Sequence, residues 1–515
     1  MLKQATRFLF AYLVALFLAA TAVASDKHIV VVVWDGMRPD FVSEQNTPTL
    51  WKLAQAGVTF RNNHSVYPSA TIVNGTAIIT GDYPSHDGIL ANHLYRADID
   101  GRKSIDVENA QVVHKGDQIS SGKYVAAPTI AELLHEKGER TAIATAKTVG
   151  LLFDRKADSR HGQNVFAGES PSANALGPIV KALGAFPPST RPAERDAWTT
   201  KALTDVFWND DVPMFSLLWL SEPDDTEHKT APGAPPALAA IKSSDENLGR
   251  VLTALDRHNA RSTTDVFVVS DHGFSTIARE IELPKILKTA GFDAVTEFTN
   301  DAKPGQIMLA GNGGMVLFYV IGHYVAITRR LVEFLQQTDF AGVIFTREPM
   351  EGTFTHDQAK IDSDQAADVV MAFRWTEEKN KFGIPGMIDA DWQRAAGKGT
   401  HATLSRFDMH NTLIAAGPDF ANGLTSEVPS GNVDLAPTIL NILGIKSPVA
   451  MDGRVLVEAV EKGWSSKPET QTIEASTKLS GGTWRQHLTI SKVGSTVYFD
   501  EGNGAFRPVA PGRIP

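Results

Sequence analysis

Residues 28–34, His-Ile-Val-Val-Val-Val-Trp, are apolar without alternation, as in a strand buried on both faces. After Thr47-Pro48, residues Leu50, Leu53, Ala54 and Val58 share one helical face, and Gly57 ends the stretch. Threonine as cap and proline in the first turn predict a helix there. The same grammar recurs. Residues 128–137 predict a helix stopped by Gly138, and Thr141–Thr145 a short strand. Residues 215–220, 265–270 and 412–416 are further runs of strand length, and 435–443, closed by Gly444, reads as a helix. Such alternation predicts an α/β fold, a mainly parallel sheet with helices on both faces.

Two regions break this rhythm. Residues 276–397 carry Gly311-Asn312-Gly313-Gly314, an amphipathic helix around 327–337 and strands near 342–345 and 368–373. They are expected to form an inserted smaller α+β cap lobe. Residues 466–515 carry Gly481-Gly482 and Val493-Gly494 turns between β-prone stretches, which predicts a β-hairpin tail packed on the main domain. The main α/β core is then residues 25–275, completed by 398–465.

The N-terminus reads differently. Lys3 and Arg7 precede a continuous apolar run over residues 8–20, and Ala22-Val23-Ala24 offers an A-x-A cleavage site. This is the pattern of a signal peptide, and the run is short of the roughly 20 residues a bilayer span needs. Residues 1–24 are therefore expected to be removed, leaving a periplasmic or secreted protein without a membrane span. Loss of Lys3 and Arg7 takes the net charge from −10 to −12. An acidic chain has no long-range attraction for a nucleic-acid polymer. Among 515 residues there is no cysteine, which excludes disulfides, thiolate metal sites and thiol nucleophiles.

Metal-type residues cluster where strands end. Asp35 follows the first strand, Asp224 and His228 follow 215–220, and Asp271-His272 follow 265–270. Ligands in open α/β sheets bind beyond the carboxyl ends of strands. Each piece alone has a plainer reading as a turn, a cap or a solvated helix face. Three strand ends delivering carboxylate and imidazole together are harder to dismiss, and without thiolate they suit Zn²⁺ or Mn²⁺ in an open site. Thr71 begins another predicted helix. Threonine there is ordinarily a cap, yet the same place gathers backbone N–H groups for a phosphate oxygen, and a hydroxyl beside a metal can be a nucleophile.

These strings resemble the alkaline phosphatase superfamily, most closely its nucleotide pyrophosphatase/phosphodiesterase branch. Asp35 in "VVVWDGMRPD" matches that family's metal aspartate, and Thr71, followed by "TGDYP", matches its threonine nucleophile. Asn92 in "GILAN" matches the asparagine that helps bind the phosphoryl group. Asp224 and His228 in "EPDDTEH", Asp271 and His272 in "SDHG", and His401 in "GTHA" match the remaining ligands. The resemblance runs to about residue 460, through "VDLAPT" and "MDGR". Ala402 stands where the family has glycine, Asp87 where it usually has histidine, and the residues after Thr71 depart from its common string.

The resemblance implies two zinc ions, one held by Asp224, His228 and His401, the other by Asp35, Asp271, His272 and the Thr71 oxygen. It implies hydrolysis of phosphodiester or nucleotide pyrophosphate bonds through a phosphothreonine, with Asn92 and the Thr71 N–H on the phosphoryl oxygens. The partner is then a small phosphate ester, possibly a nucleotide. A sulfatase is disfavoured, because no cysteine or S-x-P-x-R string supplies its nucleophile. Phosphomonoesterase and phosphonate hydrolase are rivals on the same site, and a metal-stabilised binding protein is the non-enzymatic one. Related monoesterases carry a K-D-R string for the extra phosphate charge. The comparable string here, Phe153-Asp154-Arg155, has phenylalanine at the lysine position, which favours a diester.

Overall fold

An eight-stranded sheet crosses the protein in the order Leu424–Ser426, Val58–Phe60, Leu413–Ala416, Thr264–Val269, His28–Trp34, Phe215–Leu220, Thr141–Thr145, Gly162–Phe166. The computed structural model that contains it describes residues 27–157, 161–171, 173–460 and 467–509, so the expected signal peptide lies outside the described residues. From Thr264–Val269 to Gly162–Phe166 every neighbouring pair is parallel. Leu413–Ala416 runs antiparallel to both of its neighbours. The chain thus has the expected α/β fold with a mainly parallel sheet.

The unbroken apolar run of the first strand has a direct cause. Ile29, Val31 and Val33 enter one core with Ile72 and Val73 of the Thr71–Thr80 helix. Val30, Val32 and Trp34 enter a second core on the opposite face, with Ile241, Leu248 and Val251 of the Pro235–Arg257 helix. Each such side chain, fully buried, stabilises the fold by about 1.5–3 kcal/mol.

Helix ends differ from expectation in instructive ways. The Pro48–Ala56 helix forms, but Thr47 does not cap it with its side chain. Thr47 Oγ1 donates to Ser43 O instead, and Asp245 of the Pro235–Arg257 helix accepts from Thr49 N and Leu50 N at 2.9 and 2.8 Å. A distant carboxylate thus replaces the local hydroxyl at the positive end of the helix. The helix expected over 128–137 is shorter, Ile130–His135, because Thr129 and Glu132 close a capping box at its start.

Within 276–397, a six-stranded sheet and the Val325–Leu335 helix surround their own core of Leu283, Leu309, Phe318, Leu331 and Phe373. The tail forms a three-stranded antiparallel sheet, Glu469–Leu479, Gly482–Val493 and Thr496–Pro508. It does not pack on the main sheet alone. Trp484 is buried in the core of the inserted region, and the Gln486 side chain hydrogen-bonds both ways with the Ile344 backbone. The tail also reaches the main body, where Tyr83 Oη donates to Val497 O. Among the described residues, no helix is long and apolar enough to cross a membrane.

Candidate active site

Because Thr264–Val269, His28–Trp34 and Phe215–Leu220 are parallel neighbours, their carboxyl ends open on one edge. Asp271-His272, Asp35 and Asp224 therefore converge without any long excursion of chain. The turn after Asp35 is made by Gly36 at φ 73°, where a Cβ would stand 2.9 Å from the Phe274 ring and 3.2 Å from Asp224 Cβ. Only glycine accommodates both the left-handed backbone and that approach. Asp224 and His228 lie one turn apart on the Asp224–Thr230 helix. His401 returns from far along the chain because Ser275 pairs with Thr400 in an antiparallel ladder, which sets it beside His272. Ala402, in the family's glycine position, holds φ 82° with its side chain buried, a conformation costing about 1–3 kcal/mol for a non-glycine residue.

Two groups result, Asp35–Asp271–His272 and Asp224–His228–His401, each with its ligand atoms within 4.8 Å of one another. The three aspartates share a pattern. Asp35 Oδ2 accepts from Trp219 Nε1, Asp271 Oδ1 from Gly36 N, and Asp224 Oδ2 from Lys147 Nζ. The other oxygen of each, Asp35 Oδ1, Asp271 Oδ2 and Asp224 Oδ1, is buried and accepts no hydrogen bond. The histidines complement them: His228, His272 and His401 each donate Nδ1–H to a backbone carbonyl, of Gly399, Gly273 and Ser69. In a neutral imidazole this turns the Nε2 lone pair towards the free carboxylate oxygen, at 3.2 Å for His228–Asp224 and His272–Asp271. Lone pairs facing lone pairs in a buried site fit a cation between them, and this donor set suits zinc.

Burial, and then Asp224 and Asp271 nearby, push the Asp35 carboxyl well above its ordinary range. Burial also raises Asp271. Burial works in the same direction on Asp224, but His228 and Lys147 outweigh it and hold that group well below. Burial, then His272, drives His401 well below the usual imidazole value, so it is a neutral donor.

Thr71 is the first residue of its helix, and its side chain does not cap it. Thr71 Oγ1 lies 3.2 Å from His272 Nε2, so the hydroxyl faces the ligand groups. The capping is done by Asn92, whose Oδ1 accepts from Ile72 N at 3.0 Å. With its oxygen committed, the Asn92 amide has its NH₂ left to offer to a bound group. The cavity over these residues measures about 340 Å³, with Thr71, Asn92 and His401 on its walls. Asn312, Asp391 and Arg394, from residues 276–397, line it as well. Asn312 exchanges two hydrogen bonds with the His93 backbone, which ties that region to the segment carrying Asn92.

One residue escaped sequence reasoning, and it overturns an expectation. Phe153 is fully buried against Trp219 in the core, so the Phe153-Asp154-Arg155 string supplies nothing to the site. A cation that does reach the ligand groups is Lys147, whose Nζ lies 2.6 Å from Asp224 Oδ2 and 2.9 Å from Asp35 Oδ2. It follows Thr141–Thr145, the next parallel strand beyond Phe215–Leu220, and so obeys the strand-end rule that located the aspartates. The charge-based preference for a diester thereby loses its premise.

The sequence model for "Type I phosphodiesterase / nucleotide pyrophosphatase" matches residues 29–358. The bis(5'-adenosyl)-triphosphatase enpp4 of Xenopus laevis is 24% identical over 425 residues, which cover 82% of this chain and 79% of that protein. Human ectonucleotide pyrophosphatase/phosphodiesterase family member 1 is 25% identical over 243 residues, 46% of this chain and 22% of its own length. Among solved structures, an inactive variant of murine ectonucleotide pyrophosphatase/phosphodiesterase 5 in complex with AMP superposes with a TM-score of 0.60 at 17% identity, covering 83% of this chain and 97% of that one. Phosphonoacetate hydrolase from Sinorhizobium meliloti 1021, in complex with phosphonoformate, gives 0.58 at 19% identity, covering 80% and 94%. With a matched segment spanning more than half its length, this chain belongs to the type I phosphodiesterase/nucleotide pyrophosphatase family of the alkaline phosphatase superfamily.

Proposed function

We propose that the protein is an exported two-zinc hydrolase of phosphodiester or nucleotide pyrophosphate bonds, acting through a covalent phosphothreonine at Thr71. The observation that carries this reading is the pair of facing ligand groups with the Thr71 hydroxyl turned towards them and away from its helix cap. Asp224, His228 and His401 would hold one ion; Asp35, Asp271, His272 and the Thr71 oxygen would hold the other. Bound there, paired zinc ions supply positive charge for the attacking and leaving oxygens of an in-line displacement.

Thr71 Oγ1 attacks phosphorus, the new P–O bond replaces the bond to the departing oxygen, and water later attacks the same phosphorus to free Thr71. Asn92 orients the phosphoryl group through its NH₂, and the backbone N–H groups at the helix start add positive potential. The basic start, apolar run and A-x-A string of the N-terminus support a periplasmic or secreted location.

A second reading has one specific observation behind it. Lys147 and Arg195 line the same cavity as Thr71, and these cations suit a dianionic phosphoryl group as in a monoester or phosphonate. The discriminating experiment compares kcat/KM of the zinc-loaded protein on an aryl phosphodiester, a dinucleotide polyphosphate, an aryl monoester and a phosphonate. A preference for either of the first two supports the diester reading. A preference for either of the others transfers the assignment to the second, and no turnover of any of the four removes both.

A further inference from the structure

His64, His410 and Asp500 meet at one point from three distant stretches of chain, and their ligand atoms lie within 4.8 Å of one another. None of them lines the catalytic cavity. His64 lies seven residues before Thr71 in the Asn63–His64 strand; His410 terminates the Arg406–Met409 helix; Asp500 belongs to the last strand, Thr496–Pro508.

His64 is buried, and its Nδ1–H donates to Ser430 O at 2.9 Å. Its other nitrogen, Nε2, faces Asp500 Oδ1 at 3.1 Å. A neutral imidazole would point a lone pair at a carboxylate oxygen there. Something positive must stand between them, either a second ring proton or a metal ion.

Two observations favour the metal. A proton needs only the pair, yet the His410 ring lies 4.4 Å from that of His64 and makes no hydrogen bond among the described residues. The second is the outer shell. Asp500 Oδ2 accepts from Ser491 Oγ at 2.9 Å, which orients the carboxylate, and His64 uses the same Nδ1-to-carbonyl anchor as the three active-site histidines.

We propose that His64, His410 and Asp500 form a third zinc site, separate from the catalytic pair, that fastens the C-terminal sheet to the strand leading to Thr71. Two imidazoles and one carboxylate leave a position for water, as nitrogen and oxygen donors without thiolate commonly do around zinc. The ion would join the last strand of the tail to the Asn63–His64 strand ahead of Thr71 and to the end of the Arg406–Met409 helix.

The test is metal content of the full-length protein after zinc loading and gel filtration in metal-free buffer, for the wild type, Asp500→Asn and His410→Gln. The expected result is one zinc equivalent fewer in each variant, three falling to two. The difference is read between proteins, so it stands apart from whether the catalytic pair works as assigned. Equal zinc content in the wild type and a folded variant would overturn the site and leave His64 as an imidazolium paired with Asp500. Two variants are used because Asp500→Asn also removes a contact of the tail; His410→Gln, which breaks no hydrogen bond, decides the matter if the first does not fold.

Discussion

The imidazole rings of His272 and His401 stack with centroids 3.6 Å apart and planes 14° apart, although each belongs to a different ligand group. The pairing of Ser275 with Thr400 enforces this closeness, and the carbonyls of Gly273 and Ser69 fix each ring through its Nδ1. Ions held by the two groups would therefore be near neighbours, sharing one phosphoryl group. Exhaustive chelation should abolish activity, and titrating zinc back should restore it only beyond the first equivalent per chain. Full activity in the chelated protein would end the two-metal assignment.

Thr71→Ala should keep its fold and bound zinc but lose turnover by about 10³-fold or more, the scale seen when nucleophiles are removed. Thr71→Ser should retain part of the rate, because it keeps the hydroxyl. The measurement is kcat on a diester, with mass spectrometry of acid-quenched protein for a phosphorylated Thr71. Near wild-type turnover by Thr71→Ala would show that water attacks phosphorus directly.

Much of the fold was legible because the chemistry is local. A strand such as His28–Trp34, buried on both faces, announces itself by having no polar alternation. The ligand positions were legible for a related reason, since parallel neighbours end on one edge and residues just beyond the ends must meet. Lys147 stands two residues past Thr145 and was readable by that rule, but the local string around Phe153 drew attention instead. Asp245 capping the Pro48–Ala56 helix, and the tail seating Trp484 in the inserted core, depend on contacts between distant segments that no periodicity encodes.

Asp265, at the opposite end of its strand from Asp271, is raised to about 7 by burial, with its neighbour Asp419 adding repulsion. Its folded value lies above the unfolded one, so between them the native state binds more protons than the unfolded chain, and stability falls as pH rises. The loss should run from about pH 4 to pH 7 and level off above. Asp265→Asn cannot ionise, so its Tm between pH 5 and 8 should fall less than that of the wild type. Parallel Tm profiles for the two proteins would refute the shift.

Lys147 lies between the two ligand groups and lines the cavity. Its Nζ contacts one carboxylate from each ligand group, Asp35 and Asp224, and the attraction of Asp224 and Asp35 outweighs burial, so the ammonium stays protonated. Were zinc to neutralise those carboxylates, the same ammonium would be free to meet a phosphoryl oxygen. A monoester presents one more anionic oxygen than a diester, and a hydrogen bond to a charged group is worth about 2 kcal/mol, close to thirty-fold in rate. Lys147→Met should therefore lower kcat/KM for an aryl monoester by about thirty-fold more than for the matching diester. Zinc content, measured alongside, separates this from lost metal, which would depress both substrates equally. Phe153→Lys, by contrast, buries a charge beside Trp219 with no partner and should lower Tm without shifting the substrate ratio. Equal losses on both esters in a fully zinc-loaded Lys147→Met would confine the lysine to holding Asp35 and Asp224 in place.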